Sequence, residues 1–217
     1  QAGASPRGRD FAAQHGDSII SVANGVEGMK AFRDDIRARA KTFGRNPDDI
    51  KVLFCITPTL AETEEAARIK YERETTSDHF VNDILASISA ITEIDFSGYA
   101  LDEPLPEKLV TNGESGTLDK FQQWGSGKTL RELAAAQGGG LVSSLELIGT
   151  PAQVADKMGE AMAEVGGDGF LLTTPVLRVS RKYLVEIADG LVPELQKRGL
   201  VRTEYKHQLL RDNLREF

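Results

Sequence analysis

Strand-like runs that alternate with helical patterns constrain this chain most. Ser18–Val22 ("SIISV"), Ile50–Ile56 ("IKVLFCI") and Gly169–Thr173 ("GFLLT") are short and rich in apolar or β-branched residues. After the first run, Val26, Met29, Phe32, Ile36 and Ala40 recur at three to four residues, which is the period of an amphipathic helix. Parallel strands need a crossover, and a helix supplies it, so this alternation implies a parallel sheet. Ile50–Ile56 is apolar almost throughout, as in a strand covered on both faces. Three parallel strands alone leave two edges to protect. A full eight-stranded α/β barrel needs about 250 residues before insertions, and this chain has 217. The expected fold class is therefore α/β, part of a (β/α)8 TIM-type barrel.

Helix signals fill the rest. Pro6–Gln14 reads as a helix opened by the small residues Gly3, Ala4 and Ser5, so that Gln1–Ser5 resembles the turn between a strand and a helix. Pro58 ends the second strand, and a helix follows with Thr59 or Thr63 as its cap. Ser77–Ile91 is a further helix. "IDFSGYALDEPLPEKLVTNGESG" (94–116) has no period and is rich in Gly, Pro, Ser and Asp, the mark of a functional segment or an insertion. A helical pattern resumes, breaks at Gly125–Gly127, and stops at the Gly138–Gly140 turn. Thr150 is an N-cap with Pro151 at the first helical position, and Gly166-Gly167 close that helix after Val165. Arg181–Gln196 is the last long helix.

Composition narrows function. A net charge of -7 argues against a nucleic-acid surface, which needs clustered Lys and Arg. Cys55 is the only cysteine and lies in an apolar run, so a buried structural thiol is expected rather than a nucleophile. No apolar run reaches the roughly 18 residues that span a bilayer, and a cytoplasmic location is expected. His15, His79 and His207 have no neighbouring ligand at metal-binding spacing, so no metal site is expected.

Two glycine-containing turns invite a phosphate reading. "GSGKT" (Gly125–Thr129) lacks the glycine a P-loop needs at Gln122, and a joint that caps the helix from Thr129 is the better account. The Ser5 turn is more open. Small residues before a helix N-terminus let backbone amides approach an anion. A plain cap at Ser5 with Pro6 following explains the same spacing, and on spacing alone the cap is favoured. Phe121 and Trp124 at helical spacing read as core, and the acidic Glu62–Glu65 cluster as a solvated helix start.

"QAGASPRGRDFAAQHGDSII" (1–20), "IDFSGYALDEPLPE" (94–107), "GTPAQVADKMGEAMAEVGGDGFLLTTPVL" (149–177) and "VPELQKRGLVRTEYKHQLLRDNL" (192–214) closely resemble the flavin-dependent two-component monooxygenases of the bacterial-luciferase-like superfamily. The similarity is to the nitrilotriacetate monooxygenase component A and dibenzothiophene-sulfone monooxygenase branch. It runs nearly end to end but covers only the C-terminal half of a family member. It implies that the three strands are the last three of the barrel. It also divides the chain into barrel residues 1–58, a helical and irregular insertion at 59–140, and a closing portion at 141–217. Family members use reduced FMN (FMNH2), supplied by a separate flavin reductase, and O2 to oxygenate a small organic substrate through a peroxyflavin. The resemblance implies that Ser5, with Ala4 beside it, contacts the flavin phosphate, which reverses the preference for a plain cap. It implies substrate-pocket positions at Ile20 and Val22, although an aromatic residue is common at the first. A homo-oligomer is expected, and catalytic residues from earlier strands lie outside the chain. Two alternatives stand beside this reading. One is a non-catalytic barrel half that acts only when paired, and the other is a barrel enzyme that binds a phosphorylated metabolite at Ser5.

Overall fold

In the computed structural model, the chain is described at residues 1–3, 5–106, 109–113, 118, 125, 127–134, 143–174 and 180–216. Its centre is β2 (Lys51–Ile56), flanked by β1 (Ser18–Ser21) and β5 (Phe170–Leu172) in the order β1-β2-β5. Both ladders are parallel, with Ile20 opposite Leu53 and Cys55 opposite Leu171. Residues before α1 (Pro6–His15) extend the sheet past β1. Ala2 forms a parallel bridge with Ile20, and the Ile20 N–H donates to the Gln1 carbonyl at 2.8 Å.

Helices supply the crossovers that parallel strands require. α2 (Gly25–Thr42) buries Met29, Phe32, Ile36 and Ala40, the stripe its apolar period predicts. These pack on Ile19, Val52 and Phe54, with the Phe32 and Phe54 rings edge to face at 6.1 Å. Each such side chain contributes roughly 1.5–3 kcal/mol of hydrophobic stabilisation. α3 (Glu64–Thr75) and α4 (Asp78–Thr92) follow, capped by the side chains of Thr63 and Ser77. α4 joins Phe96, Leu130 and Leu133 in a separate apolar cluster. α5 (Pro151–Val165) opens with a full capping box between Thr150 and Gln153. The chain then runs through α6 (Arg181–Val185), a π-helical stretch at Glu186–Leu191, α7 (Val192–Lys197) and α8 (Leu210–Arg215). Of these, α6, the π-helical stretch and α7 meet Ile56, Leu60 and Met158 in a second large cluster.

Two expectations need correction. Pro58 does not lead directly into a helix. β3 (Thr59–Leu60) pairs in parallel with β4 (Ile148–Gly149), Thr59 opposite Ile148, and the helix starts only after its Thr63 cap. Two residues are too few to show a period, and their partners lie far away in sequence. Nor is β2 covered equally on both faces. Val52, Phe54 and Ile56 are fully buried, whereas Leu53, on the other face, is only half-buried. Phe121, Trp124 and the Gly138–Gly140 turn lie outside the described residues.

The amino end of the sheet is held by one carboxylate. Gly166, Gly167, Asp168 and Gly169 all take positive φ, with Asp168 at 85°, a conformation that costs a residue with a Cβ. Asp168 is held there by Arg33 from α2, whose Nε lies 2.8 Å from Oδ2. The same oxygen accepts the Val52 N–H at 3.2 Å. The Asp168 side chain is 5% exposed and that of Arg33 12%, so neither charge has water as a substitute partner. Asp168→Ala should therefore lower stability by about 3 kcal/mol, because it strands a buried guanidinium. Asp168→Asn tolerates the backbone and keeps an acceptor for Val52, so it should cost less. Urea denaturation of the two variants checks the order.

Candidate functional site

Ligands of parallel α/β sheets bind at the carboxyl ends of the strands. In this chain that end is where β1 runs into Val22-Ala23, β2 into Thr57-Pro58 and β5 into Thr173. The Ser5 turn lies at the same end, because Gln1 and Ala2 run parallel to β1 beside Ile20.

Ser5 caps α1. Its Oγ accepts the Gly8 N–H at 3.2 Å, with Pro6 at the first helical position. That bond uses an oxygen lone pair and leaves the hydroxyl proton as a donor. Ser5 is exposed, and the first turn of α1 contains no acidic residue. Gly3, at φ 120°, gives the turn a shape that L side chains rarely adopt. A Cβ at Gly8 would come within 3.1 Å of the Ser5 hydroxyl oxygen. Arg9 stacks on Phe32 at 4.6 Å and pairs with Asp35 at 2.9 Å, which fixes α1 against α2. A helix N-terminus, a hydroxyl donor and small residues suit an anion such as a phosphate. Ala4 lies outside the described residues.

Ile20 and Val22 are half-buried, while Ile19 and Ser21 between and before them are buried. Strand alternation therefore puts Ile20 and Val22 on the face opposite the helices. Leu53 shares that face through its pairing with Ile20.

Two serines that no sequence motif marks tie this rim together. Ser144 donates its N–H to the Cys55 carbonyl at 2.7 Å, and its carbonyl accepts from Gly25 at 3.0 Å. Its Oγ accepts the Ala23 N–H at 3.1 Å. Ser143 Oγ accepts the Thr57 N–H at 3.1 Å and donates to the Leu145 carbonyl at 2.7 Å. Both are buried. Across the rim, the hydroxyls of Thr57 and Thr173 lie 2.7 Å apart. Tyr183 donates its phenol proton to the Thr173 carbonyl at 2.9 Å. Burial pushes the Tyr183 phenol far above its usual pKa, and Glu186 pushes it further, so that donor stays protonated. Lys70 pairs with Glu186 at 2.7 Å beside the rim. A serine hydroxyl has no period, so no local signal in the sequence marks the serine clamp.

The remaining candidates have structural settings. Cys55 is buried within β2. Thr129 and Glu132 bond reciprocally at the start of their helix, so the described part of "GSGKT" is a cap. His79 is 70% exposed with Asp83 at 3.3 Å. Among the described residues no cluster of His, Cys, Asp and Glu could hold a metal, and no helix is long and apolar enough to cross a membrane.

The family model for luciferase-like monooxygenases matches residues 1–169. The chain belongs to that family. It is 35% identical to the dimethyl-sulfide monooxygenase of Hyphomicrobium sulfonivorans, over 99% of this chain and 44% of that protein. It is 32% identical to nitrilotriacetate monooxygenase component A of Aminobacter aminovorans, over 99% of this chain and 47% of the relative. The crystal structure of riboflavin lyase RcaE, with modified FMN and riboflavin, superposes with a TM-score of 0.79 at 28% identity. That match covers 100% of this chain and 46% of the lyase. This luciferase-like chain thus spans about half the length of the relatives it matches.

The serine clamp makes a direct prediction. Ser144→Ala leaves the buried Ala23 N–H without its acceptor, and an unsatisfied buried donor costs about 1–3 kcal/mol. The thermal midpoint should fall accordingly. Ser144→Thr, which keeps the hydroxyl, should recover part of the loss.

Proposed function

We propose that this chain forms the C-terminal part of the oxygenase component of a two-component flavin-dependent monooxygenase. In this reading it contributes the last three strands of a (β/α)8 barrel. Residues 1–58 and 141–217 are barrel, and 59–140 form the insertion. The observation that carries it is the Ser5 turn. An acid-free helix N-terminus with a spare hydroxyl donor sits at the carboxyl end of a parallel sheet, in a chain of luciferase-like sequence.

Reduced FMN, when bound, supplies the activation of O2 and the oxygen transfer to a small organic substrate. The chain's own residues have narrower tasks. Ser5 holds the flavin phosphate by O–H donation, with the Ala4 region and the α1 amides beside it. Ile20 and Val22 form an apolar wall toward the substrate and keep water from it. Thr57, Thr173 and the serine clamp hold that wall in register with β2. A separate flavin reductase supplies FMNH2, in keeping with the name "component A" of one relative. The proposal extends to a cytoplasmic homo-oligomer.

Ser5→Ala in the full-length protein tests the reading. A hydrogen bond to a charged oxygen contributes about 1.5–3 kcal/mol, so FMN affinity should fall roughly 10- to 100-fold. Riboflavin, which has no phosphate, should weaken much less. The lost cap should also cost about 1 kcal/mol of stability. Fluorescence titration with both flavins and a thermal melt separate the effects. Equal weakening of FMN and riboflavin would leave Ser5 as a cap alone and sink the phosphate assignment. Tight binding of a sugar phosphate without FMN binding would favour a phosphorylated-metabolite enzyme instead.

A further inference from the structure

A cavity of about 220 Å³ lies beside the rim, bounded by the start of β3, by α3 and by the start of α6. None of its residues belongs to the Ser5 turn or to the Ile20–Val22 wall. Tyr183 joins it to the rim, because it lines the cavity and donates its phenol proton to the Thr173 carbonyl.

The cavity wall holds a buried hydroxyl without a partner. Thr59 is 8% exposed, and its N–H donates to the Leu147 carbonyl at 2.8 Å. Its hydroxyl meets no hydrogen-bond partner among the described residues. Nearly all buried polar groups in folded proteins are hydrogen-bonded, so this one points to a ligand. Two more donors share the wall. Ser180 Oγ accepts the Tyr183 N–H at 3.4 Å, which leaves its own proton to donate. Lys70 donates to Glu186 at 2.7 Å and to the Leu60 carbonyl at 3.2 Å, which leaves one of its ammonium protons.

Charge decides the class of ligand. Lys70 and Glu186 compensate each other. Lys182 stands 3.9 Å from Glu186 and is 82% exposed. Glu74 stands 4.0 Å from Arg73, itself exposed. One ammonium and one carboxylate on the wall are thus only loosely held. A simple anion would meet Glu74 and Glu186, and a simple cation would meet Lys70 and Lys182. A ligand that carries both signs satisfies both sets. Pro58 and the Tyr183 ring supply apolar surface beside them. The cavity is smaller than the roughly 300–1,000 Å³ of pockets for drug-sized ligands, so the ligand is small.

We infer that this cavity binds a small zwitterion of the α-amino acid class. Its carboxylate meets Lys182 and the hydroxyls of Ser180 and Thr59, its ammonium meets Glu74, and a short apolar side chain lies against Pro58 and Tyr183.

Calorimetric titration of the full-length protein without flavin tests this, with L-leucine as the probe. Leucine should bind at a single site. Leucinamide, which lacks the carboxylate, and 4-methylpentanoate, which lacks the ammonium, should each bind about 10-fold more weakly or worse, because each loses a charge-assisted hydrogen bond. Glu74→Gln, Lys182→Met and Thr59→Val should each weaken leucine, and Ile20→Ala, on the wall by the Ser5 turn, should not. A thermal melt of each variant shows that it is folded, and the comparison of the three ligands needs no variant at all. No binding of leucine, 4-methylpentanoate binding as tightly as leucine, or leucine binding indifferent to both Glu74→Gln and Lys182→Met would overturn the inference. No readout uses flavin or activity, so failure of the flavin reading leaves this test standing.

Discussion

β2 is the reference to which both ends of this chain are tied. It ladders to β1 on one side and β5 on the other, and it is also bonded near both ends by side-chain and backbone groups from distant segments. Near its amino end, Asp168 accepts from Val52 while pairing with Arg33. Toward its carboxyl end, Ser144 donates to Cys55 and Ser143 accepts from Thr57. The first tie joins α2 to the turn before β5. The second joins Ser143 and Ser144 to the rim. A site assembled at that rim is therefore referred to a strand whose helix-facing side chains are fully buried, and rigid elements of this kind hold functional groups more accurately than loops do.

The α1 cap is steadied in a different way. Asp35 lies between Arg9 and Arg39, and Arg39 also reaches Asp10. Burial pushes the Asp35 carboxyl up, but hydrogen bonds and charge from Arg9 and Arg39 outweigh it and hold it below its ordinary 3.8. A depressed carboxylate contributes stability above its unfolded pKa and loses it as pH falls through the lower folded value. The web joining α1 to α2 is thus intact throughout the neutral range and weakens only in acid. Its partners are partly exposed, so the contribution is modest. Its consequence is positional, since it sets where the Ser5 hydroxyl sits relative to β1.

Much of the fold was legible because its signals are local. The α2 stripe, the Ser5 and Thr150 caps, the Thr63 cap among two candidates, and the three apolar runs are each local in the chain, and the structure has them where their spacing put them. The features that escaped are non-local. Thr59–Leu60 pairs with Ile148–Gly149 across the chain. Ser144 meets Ala23 across 121 residues, and Ser143 meets Thr57 across 86. A serine's hydroxyl has no period, so nothing near it in sequence announces its partner. Ser5 shows a further limit. Its cap follows from spacing, but whether the same oxygen also donates to an anion depends on what occupies the space above the turn. The choice between cap and phosphate contact was in any case a false one, because the cap takes a lone pair and an anion would take the proton.

The same alternation that builds the core decides what Ile20 and Leu53 can face. Along β1 and β2, one set of residues (Ile19, Val52, Phe54, Ile56) is buried under helices, and the other (Ile20, Leu53) is only half-buried. In a closed barrel the inward set is covered by side chains from strands across the interior. Among the described residues, Leu53 of that set borders a groove shared with Met158, Leu195, Leu200 and Val201. In the proposed function, Ile20 and Val22 wall a pocket only when the strands of the barrel that lie opposite face them. The Ser5 turn, in contrast, is complete within the chain: its cap, its helix and the ionic web behind it are all local to residues 1–42. In the proposed function, holding the phosphate therefore asks only for residues close in sequence, whereas the substrate space asks for the barrel strands that would face Ile20 and Val22.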